Sequence, residues 1–202
     1  MTPTTISFLE FRVRDGEGAA AFYGRLFDWR LGRTPGVPSF LIDTGRAPGV
    51  TLVQMPAPMP LAICPYLHVD DAALVAHRAT DLGAQVLLAG EDLGDTGILS
   101  LLLDPWGNHL ALLQGGDQRS ALAQGSGRHP LAWLELAAPL LDDAVAFYSG
   151  VCGWSFEHVQ GAGGYAWARA GELGVGLRSG GLDGERDLTL YVAVDDLEAS
   201  LI

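Results

Sequence analysis

The sequence predicts an α+β fold of tandem βαβββ modules, in which the fourth module is incomplete. The first observation is an internal repeat: residues 8–29 recur at residues 133–154 with an offset of 125, and the same offset later pairs Tyr66 with Tyr191. The second is that a strand-like alternation opens each module and a helical apolar stripe follows it. The third is that turns containing Pro or Gly then separate short apolar runs. Such a repeat indicates duplicated structural units.

The first module is predicted between residues 6 and 55. Residues 6–13 alternate as a strand, with Phe8, Glu10 and Arg12 on one face. Asp15 is placed to cap a helix whose apolar residues, from Ala19 onward, recur at helical spacing. Three strands are expected at residues 29–32, 39–43 and 50–55, because turn-forming residues separate these runs.

The second module repeats this order after the proline-rich segment 56–60. Residues 64–69 are predicted as its first strand, and Asp70 and Asp71 as the cap of its helix. Strands are expected at residues 85–88, 98–104 and 109–114. The last two are joined by the sequence DPWGN at residues 104–108, whose Pro, Gly and Asn favour a turn.

The chain is predicted to contain two domains. Residues 1–115 form the first, with two modules. Residues 116–129, rich in Gly, Gln and Ser, form a linker, and residues 130–202 hold the third module and the start of the fourth. By the repeat offset, Ile202 corresponds to His77, so we expect a truncated fourth module.

Composition excludes several function classes. The chain has 202 residues, 49% of them hydrophobic, a net charge of −12 and no lysine, which argues against a nucleic-acid partner. No stretch is apolar over the roughly 20 residues that span a bilayer, and no secretory signal is visible, so we expect a cytoplasmic protein with no membrane partner. Cys64 and Cys152 form no CxxC pair and are expected to be reduced and buried.

Two motifs carry a resemblance to a known superfamily. The start ExxxxDxxxAxxFYxxxFxW at residues 10–29, its copy at residues 135–154 and the DPWGN turn together resemble the vicinal oxygen chelate superfamily, which includes glyoxalase I, bleomycin-resistance proteins and extradiol dioxygenases. The resemblance implies curved mixed sheets that line a cleft. Within the superfamily the chain is similar to tandem glyoxalase-like proteins of the kind called hydroxylase or 27 kDa antigen.

The resemblance also locates the positions at which metal-dependent members hold a divalent ion. Here those positions carry Phe8, Thr51, Cys64 and Ala111, of which only Cys64 is a metal-binding type; the second half has Trp133, Gly176 and Thr189. We therefore predict no catalytic metal and no other cofactor. A shift of register by two would bring in Glu10 or Tyr66, and a divalent metal would then become an option, but no set of three ligands results.

The residues with chemical potential lie on the strand faces that, by the resemblance, look into the cleft. Catalytic candidates are Glu10, His68 and His109, which could transfer protons, although a hydrogen-bonding role for Glu10 and its copy Glu135, and a structural role for each His, are the plainer interpretations. The predicted ligand-binding set is Phe8, Glu10, Cys64, Tyr66, His68, His109, Trp133 and Glu135.

Three functions remain open from the sequence. The first is a metal-free protein that binds a small apolar or aromatic molecule in the cleft. The second is a small-molecule lyase, isomerase or oxygenase that uses Glu10, His68 or His109, or an unrecognised metal site. The third is an oligomerising remnant or interaction protein, in which a homodimer would complete the incomplete half.

Overall fold

The computed structural model describes residues 2–33, 36, 38–116, 128–161, 164–180, 188–198 and 200. The predicted linker falls largely outside these residues. The described strands form two open mixed sheets, one of eight strands and one of five, with helices packed on one face of each. The predicted α+β class is confirmed.

The first sheet contains the first two modules, which meet at its two central strands. Its strands are β1 (Thr5–Val13), β2 (Arg30–Arg33), β3 (Ser39–Asp43), β4 (Gly49–Gln54), β5 (Ile63–Val69), β6 (Gln85–Asp92), β7 (Ile98–Leu103) and β8 (His109–Gln114). They lie in the order β2-β3-β4-β1-β5-β8-β7-β6. β1 and β5 are antiparallel to each other, and each is parallel to the last strand of its own module.

The second sheet contains the third module and one strand more. Its strands are β9 (Leu131–Ala138), β10 (Glu157–His158), β11 (Tyr165–Ala170), β12 (Leu173–Ser179) and β13 (Leu188–Val192), in the order β10-β11-β12-β9-β13. β13 pairs antiparallel with β9 as β5 pairs with β1, so it opens a fourth module as predicted. After this strand Asp195 lies at a bend, Leu197 and Glu198 lie in a turn, and Ser200 has 3-10 geometry, with its backbone N–H donating to the carbonyl of Asp196 over 3.2 Å. Residues 199, 201 and 202 lie outside the described residues.

Within the described residues the α-helices are α1 (Gly16–Phe27), α2 (Ala72–Asp81) and α3 (Leu141–Cys152), and a 3-10 turn covers Gly94–Thr96. Asp15 and Asp71 cap α1 and α2 as predicted, because their carboxylates accept the backbone N–H groups of Gly18 and Leu74. α3 has no side-chain cap. Two aspartates in its first turn instead interact favourably with the positive end of the helix dipole. No helix in the described part of the chain is long and apolar enough to span a bilayer.

The modules pack through reciprocal contacts that follow the repeat. Trp29 donates its indole N–H to the carbonyl of His129 over 2.9 Å, and its copy Trp154 donates to the carbonyl of Thr4 over 2.8 Å. Thr4 and His129 are themselves related by the 125-residue offset. A single apolar core therefore runs from the helix side of the first sheet to that of the second, and α2 packs against α3 within it.

The DPWGN turn is a second element of this packing. The Asp104 carboxylate is buried and accepts the backbone N–H groups of Trp106 and Asn108, the Asn108 side-chain amide at 2.7 Å, and the Tyr148 hydroxyl at 2.6 Å. Burial, together with the Asp104 charge, raises the pKa of Tyr148, so the phenol stays a hydrogen-bond donor. The turn thus attaches the second module to α3.

Candidate functional site

The face of the first sheet that points away from the helices, here called the cleft face, carries an apolar cluster. Its buried members are Phe8, Cys64, Tyr66, Leu99, Ala111 and Leu113. Phe8 lies opposite Tyr66 across the β1–β5 pair, and their rings stack with centroids 4.1 Å apart. Tyr66 in turn lies opposite Ala111 across the β5–β8 pair. The centre of the cleft face is therefore filled by the protein's own side chains.

The residues at the expected metal positions do not form a ligand set. Phe8, Cys64 and Ala111 lie together in the cleft cluster, and Thr51 lies beside it, opposite Glu10 on the β1–β4 pair. Burial raises the pKa of the Cys64 thiol to about 12, whereas a metal ligand must be a thiolate. No group of three His, Cys, Asp or Glu side chains converges among the described residues. The donors at these positions do not fit a divalent ion.

Glu10 lies in a closed hydrogen-bond network on the cleft face. Its carboxylate accepts the Arg12 guanidinium over 2.7 Å and the Tyr66 hydroxyl over 2.9 Å. Burial acts to lower the pKa of Arg12, but the hydrogen bond to Glu10 and the electrostatic effect of the neighbouring Cys64, Glu10 and Tyr66 outweigh this and leave that pKa above its ordinary value. Burial and the nearby Glu10 charge likewise raise the pKa of Tyr66. Arg12 and Tyr66 therefore keep their protons, and both donate hydrogen bonds to the Glu10 carboxylate.

The two candidate histidines line different hollows. His68, half-buried near the end of β5, borders a groove of about 280 Å³ with Thr5, Asp70, Leu74 and Arg78. His109 is buried at the start of β8, in a hollow of about 200 Å³ that includes Leu61, Asn108 and Leu188. The structure does not bring these histidines and Glu10 into one cavity, and their catalytic roles stay predictions.

The second sheet presents a more accessible aromatic surface on its own cleft face. Trp133 and Trp167 have ring centroids 6.0 Å apart, and the Trp133 indole N–H donates to the Tyr165 hydroxyl over 2.9 Å. All three side chains are half-buried. Burial raises the pKa of Tyr165 to about 12, so its hydroxyl stays protonated. We call these three residues the aromatic platform.

Two glycines make room for the platform. A Cβ at Gly174 would lie 2.1 Å from the Trp133 ring, and one at Gly176 would lie 2.7 Å from its indole nitrogen. Gly176 is the copy of Thr51 in the repeat. Because Gly176 has no side chain, the Trp133 indole can lie across β12 at this position. The sequence predicted Gly176 only as a position where a metal ligand is replaced. The signal that could have revealed the platform is the bulky Trp133 together with two glycines, Gly174 and Gly176, on a single other strand.

Two arginines next to the sheet faces, Arg12 and Arg178, were not among the predicted site residues. Glu135 accepts the Arg178 guanidinium over 3.1 Å, beside the aromatic platform. Arg12 could have been found, since it alternates with Glu10 on the same strand face. Arg178 could not, because its strand is brought next to β9 only by the fold.

The comparisons with known proteins agree with this geometry. The family model described as a glyoxalase-like domain matches residues 8–113. Two curated mycobacterial proteins, from Mycobacterium bovis and Mycobacterium tuberculosis and provisionally named glyoxylase CFP32, are each 30% identical over 210 aligned residues, covering 97% of this chain and 79% of theirs.

Solved structures share the fold at low identity. The Mn(II)-bound glyoxalase from Novosphingobium aromaticivorans is 17% identical with a TM-score of 0.66, over 88% of this chain. This chain spans only 62% of that protein. The 2,2′,3-trihydroxybiphenyl 1,2-dioxygenase from Sphingomonas wittichii RW1 is 17% identical with a TM-score of 0.65, over 96% of this chain and 75% of its own. These likenesses show the fold alone.

Proposed function

We propose a function that starts from the family: this chain belongs to the glyoxalase-like domain family of the vicinal oxygen chelate superfamily. The proposal is that it binds a small apolar or aromatic molecule in its sheet-lined cleft without a metal ion. The observation that carries the proposal is the Phe8–Tyr66 stack, with centroids 4.1 Å apart, which occupies the first of the expected metal positions. An aromatic ring cannot ligate a cation of this kind, and it fills the space that a hydrated ion would need.

The burial of the first cleft face supports a structural role for that sheet. Phe8 is 6% exposed and Cys64 is fully buried, so a ligand would have to displace a packed cluster to reach them. Displacing close-packed side chains costs the contacts that they make with one another. The proposed ligand therefore binds elsewhere along the cleft.

The aromatic platform on the second sheet is the surface we propose for the ligand. Trp133, Tyr165 and Trp167 present apolar ring area that remains partly accessible. Aromatic side chains favour offset or edge-on contacts with another ring, and such contacts add to the free energy of burying apolar area. Glu135 and Arg178 at the edge of the platform offer one acceptor and one donor group. The ligand class is thus a flat, mainly apolar molecule with a polar substituent.

The metal-independent part of the proposal has a direct test. Purified protein is incubated with Zn²⁺, Ni²⁺, Mn²⁺ and Fe²⁺, desalted, and analysed for bound metal. We expect far less than one metal ion per chain, because the Cys64 thiol is protonated and Phe8 and Ala111 offer no donor atoms. The glyoxalase from Novosphingobium aromaticivorans, whose solved structure holds Mn(II), is carried through the same procedure as the positive control. Near-stoichiometric metal on the unmodified protein would contradict the proposal.

The ligand-binding part is tested by a thermal-shift screen of small aromatic molecules. A ligand present at about 100 times its Kd should stabilise the fold by about 2.7 kcal/mol. We expect Trp133→Ala to abolish the shift, since the central ring of the platform is removed. Phe22→Ala, which truncates an exposed ring on α1, is the matched control and should leave the shift unchanged. Equal shifts in the two variants would place the ligand away from the platform.

A further inference from the structure

Tyr191 on the second sheet is the copy of Tyr66 on the first, but its ring has no stacking partner. Each tyrosine lies opposite an aromatic residue of the neighbouring strand, Tyr66 opposite Phe8 and Tyr191 opposite Trp133. Tyr66 stacks on Phe8 with centroids 4.1 Å apart and is 8% exposed. Within the described residues no ring contact joins Tyr191 to Trp133, and Tyr191 is 46% exposed. The same pair of positions is therefore closed in one sheet and open in the other.

The direction of the Trp133 side chain explains this difference. Its indole lies across β12, on the side of β9 that faces away from β13. A Cβ at Gly176 would lie 2.7 Å from the indole nitrogen, and the first sheet has Thr51 at the position that corresponds to Gly176. A side chain at this position leaves Phe8 the direction of β5, whereas glycine lets Trp133 turn away from Tyr191.

The turn of Trp133 leaves a space on the cleft face between its indole and Tyr191, above β9, which we call the slot. Adjacent strands lie about 5 Å apart, so positions over β12 and on β13, with β9 between them, are about 10 Å apart. A flat ring that packs on each side at about 3.5–4 Å fits within this distance. A ring in the slot would contact Tyr191 as Phe8 contacts Tyr66 in the first sheet.

The charged groups beside the slot select the polar substituent of such a ring. Glu135 follows Trp133 by two residues on the same strand face, about 7 Å along β9. Its carboxylate accepts from Arg178 and lies close to the Tyr165 hydroxyl, and a carboxylate has about four acceptor positions. Arg178 already donates two of its N–H groups within the protein. The spare capacity is therefore that of an acceptor, which favours a neutral donor and repels an anion.

We propose that the slot binds an aromatic ring that carries a neutral N–H or O–H group, with the ring against Tyr191 and the N–H or O–H donating to Glu135. Tyr191 is then a specificity-determining residue outside the aromatic platform, because its ring limits the slot to flat groups. The inference rests on the proposed function, since it takes the ligand to bind on the cleft face of the second sheet.

The affinity test uses two probes of the same shape. Indole has a flat ring and one N–H group, and benzofuran has an oxygen in place of that donor. Calorimetric titration should show a Kd about tenfold higher for both probes in Tyr191→Ala, because the ring contact is lost. Indole should bind the wild-type protein about tenfold more tightly than benzofuran, and Glu135→Ala should abolish this preference. Phe22→Ala, which truncates an exposed ring on α1, is the control and should leave both Kd values unchanged.

Fluorine NMR of protein labelled with 3-fluorotyrosine locates the probe independently of affinity. The chain has five tyrosines, and the Tyr191 signal is identified by its loss in Tyr191→Phe. We expect saturating indole to shift this signal and to leave that of the buried Tyr148 in place. In Gly176→Ala without a probe, the Tyr191 signal should respond less to exchange of H2O for D2O, because the added methyl turns Trp133 toward β13. An unshifted Tyr148 signal in this variant shows that the fold is kept.

Four results would overturn the inference. Indole binding that needs Trp133 but not Tyr191 would keep the platform as the ligand surface and remove the slot. Equal binding of indole and benzofuran would remove the donor to Glu135. Absence of indole binding to the wild-type protein at millimolar concentration would also remove the slot, while the thermal-shift screen with Trp133→Ala decides the proposed function separately. An unchanged Tyr191 signal in folded Gly176→Ala would show that the glycine does not direct Trp133 away from Tyr191.

Discussion

Asp104→Ala is expected to lower the free energy of unfolding by about 3–5 kcal/mol, because it removes the acceptor of a buried, charge-assisted network. The carboxylate is 4% exposed and accepts hydrogen bonds from Trp106, Asn108 and Tyr148. Its loss leaves a fully buried phenol hydroxyl and a buried amide without their acceptor. Each unsatisfied buried donor costs about 1–3 kcal/mol, and the effects are not additive. Urea unfolding, followed by tryptophan fluorescence, measures the change.

The controls use the repeat. Tyr148→Phe removes one donor from Asp104 and should cost about 1.5–3 kcal/mol, since the acceptor is charged. Tyr23→Phe removes the corresponding hydroxyl from a half-buried ring on α1 and should change stability by less than about 0.5 kcal/mol. The double variant Asp104→Ala/Tyr148→Phe should cost less than the sum of the two single changes. If Tyr23→Phe and Tyr148→Phe were equally destabilising, the turn would not be the attachment that we describe.

Which contacts of this fold can be predicted from the sequence depends on how far apart the two contacting residues lie in the chain. The helix caps Asp15 and Asp71 were predictable because a carboxylate acts on an N–H group three residues away. β13 was predictable because the repeat offset transfers the position of β5. Tyr148 as the partner of Asp104 was not, since the two residues are 44 apart in the chain and meet only when α3 packs on the second module.

The same reasoning explains what was missed at the cleft. Cys64 and Tyr66 alternate along β5, and the structure packs them into one cluster with Phe8. His68 continues the same alternation, but the groove beside it is formed by the N-terminal segment and α2, which no strand pattern predicts. The position of a residue along a strand, and not only its face, decides which cavity it borders.

Glu10→Ala is expected to cost about 3–5 kcal/mol, whereas the same change in its copy, Glu135→Ala, should cost about 1 kcal/mol or less. The Arg12 side chain is 9% exposed, so removing Glu10 leaves a buried guanidinium without its counter-ion. The Arg178 side chain is 37% exposed and also donates to the carbonyl of Gly180, so water and backbone compensate for the loss of Glu135. Chemical denaturation of the two variants gives the comparison.

A third variant separates a structural role of Glu10 from a catalytic one. If Glu10 serves to neutralise Arg12, the double change Glu10→Ala/Arg12→Leu should recover much of the lost stability, because the charge that needs a partner is gone and an apolar side chain fills its volume. Glu10→Gln should fall between the extremes, since an amide can still accept from the Tyr66 hydroxyl but carries no charge opposite Arg12. If Glu10→Ala instead kept wild-type stability and the double variant were no more stable than it, the fold would not need this carboxylate. Glu10 would then again be a candidate for a catalytic role.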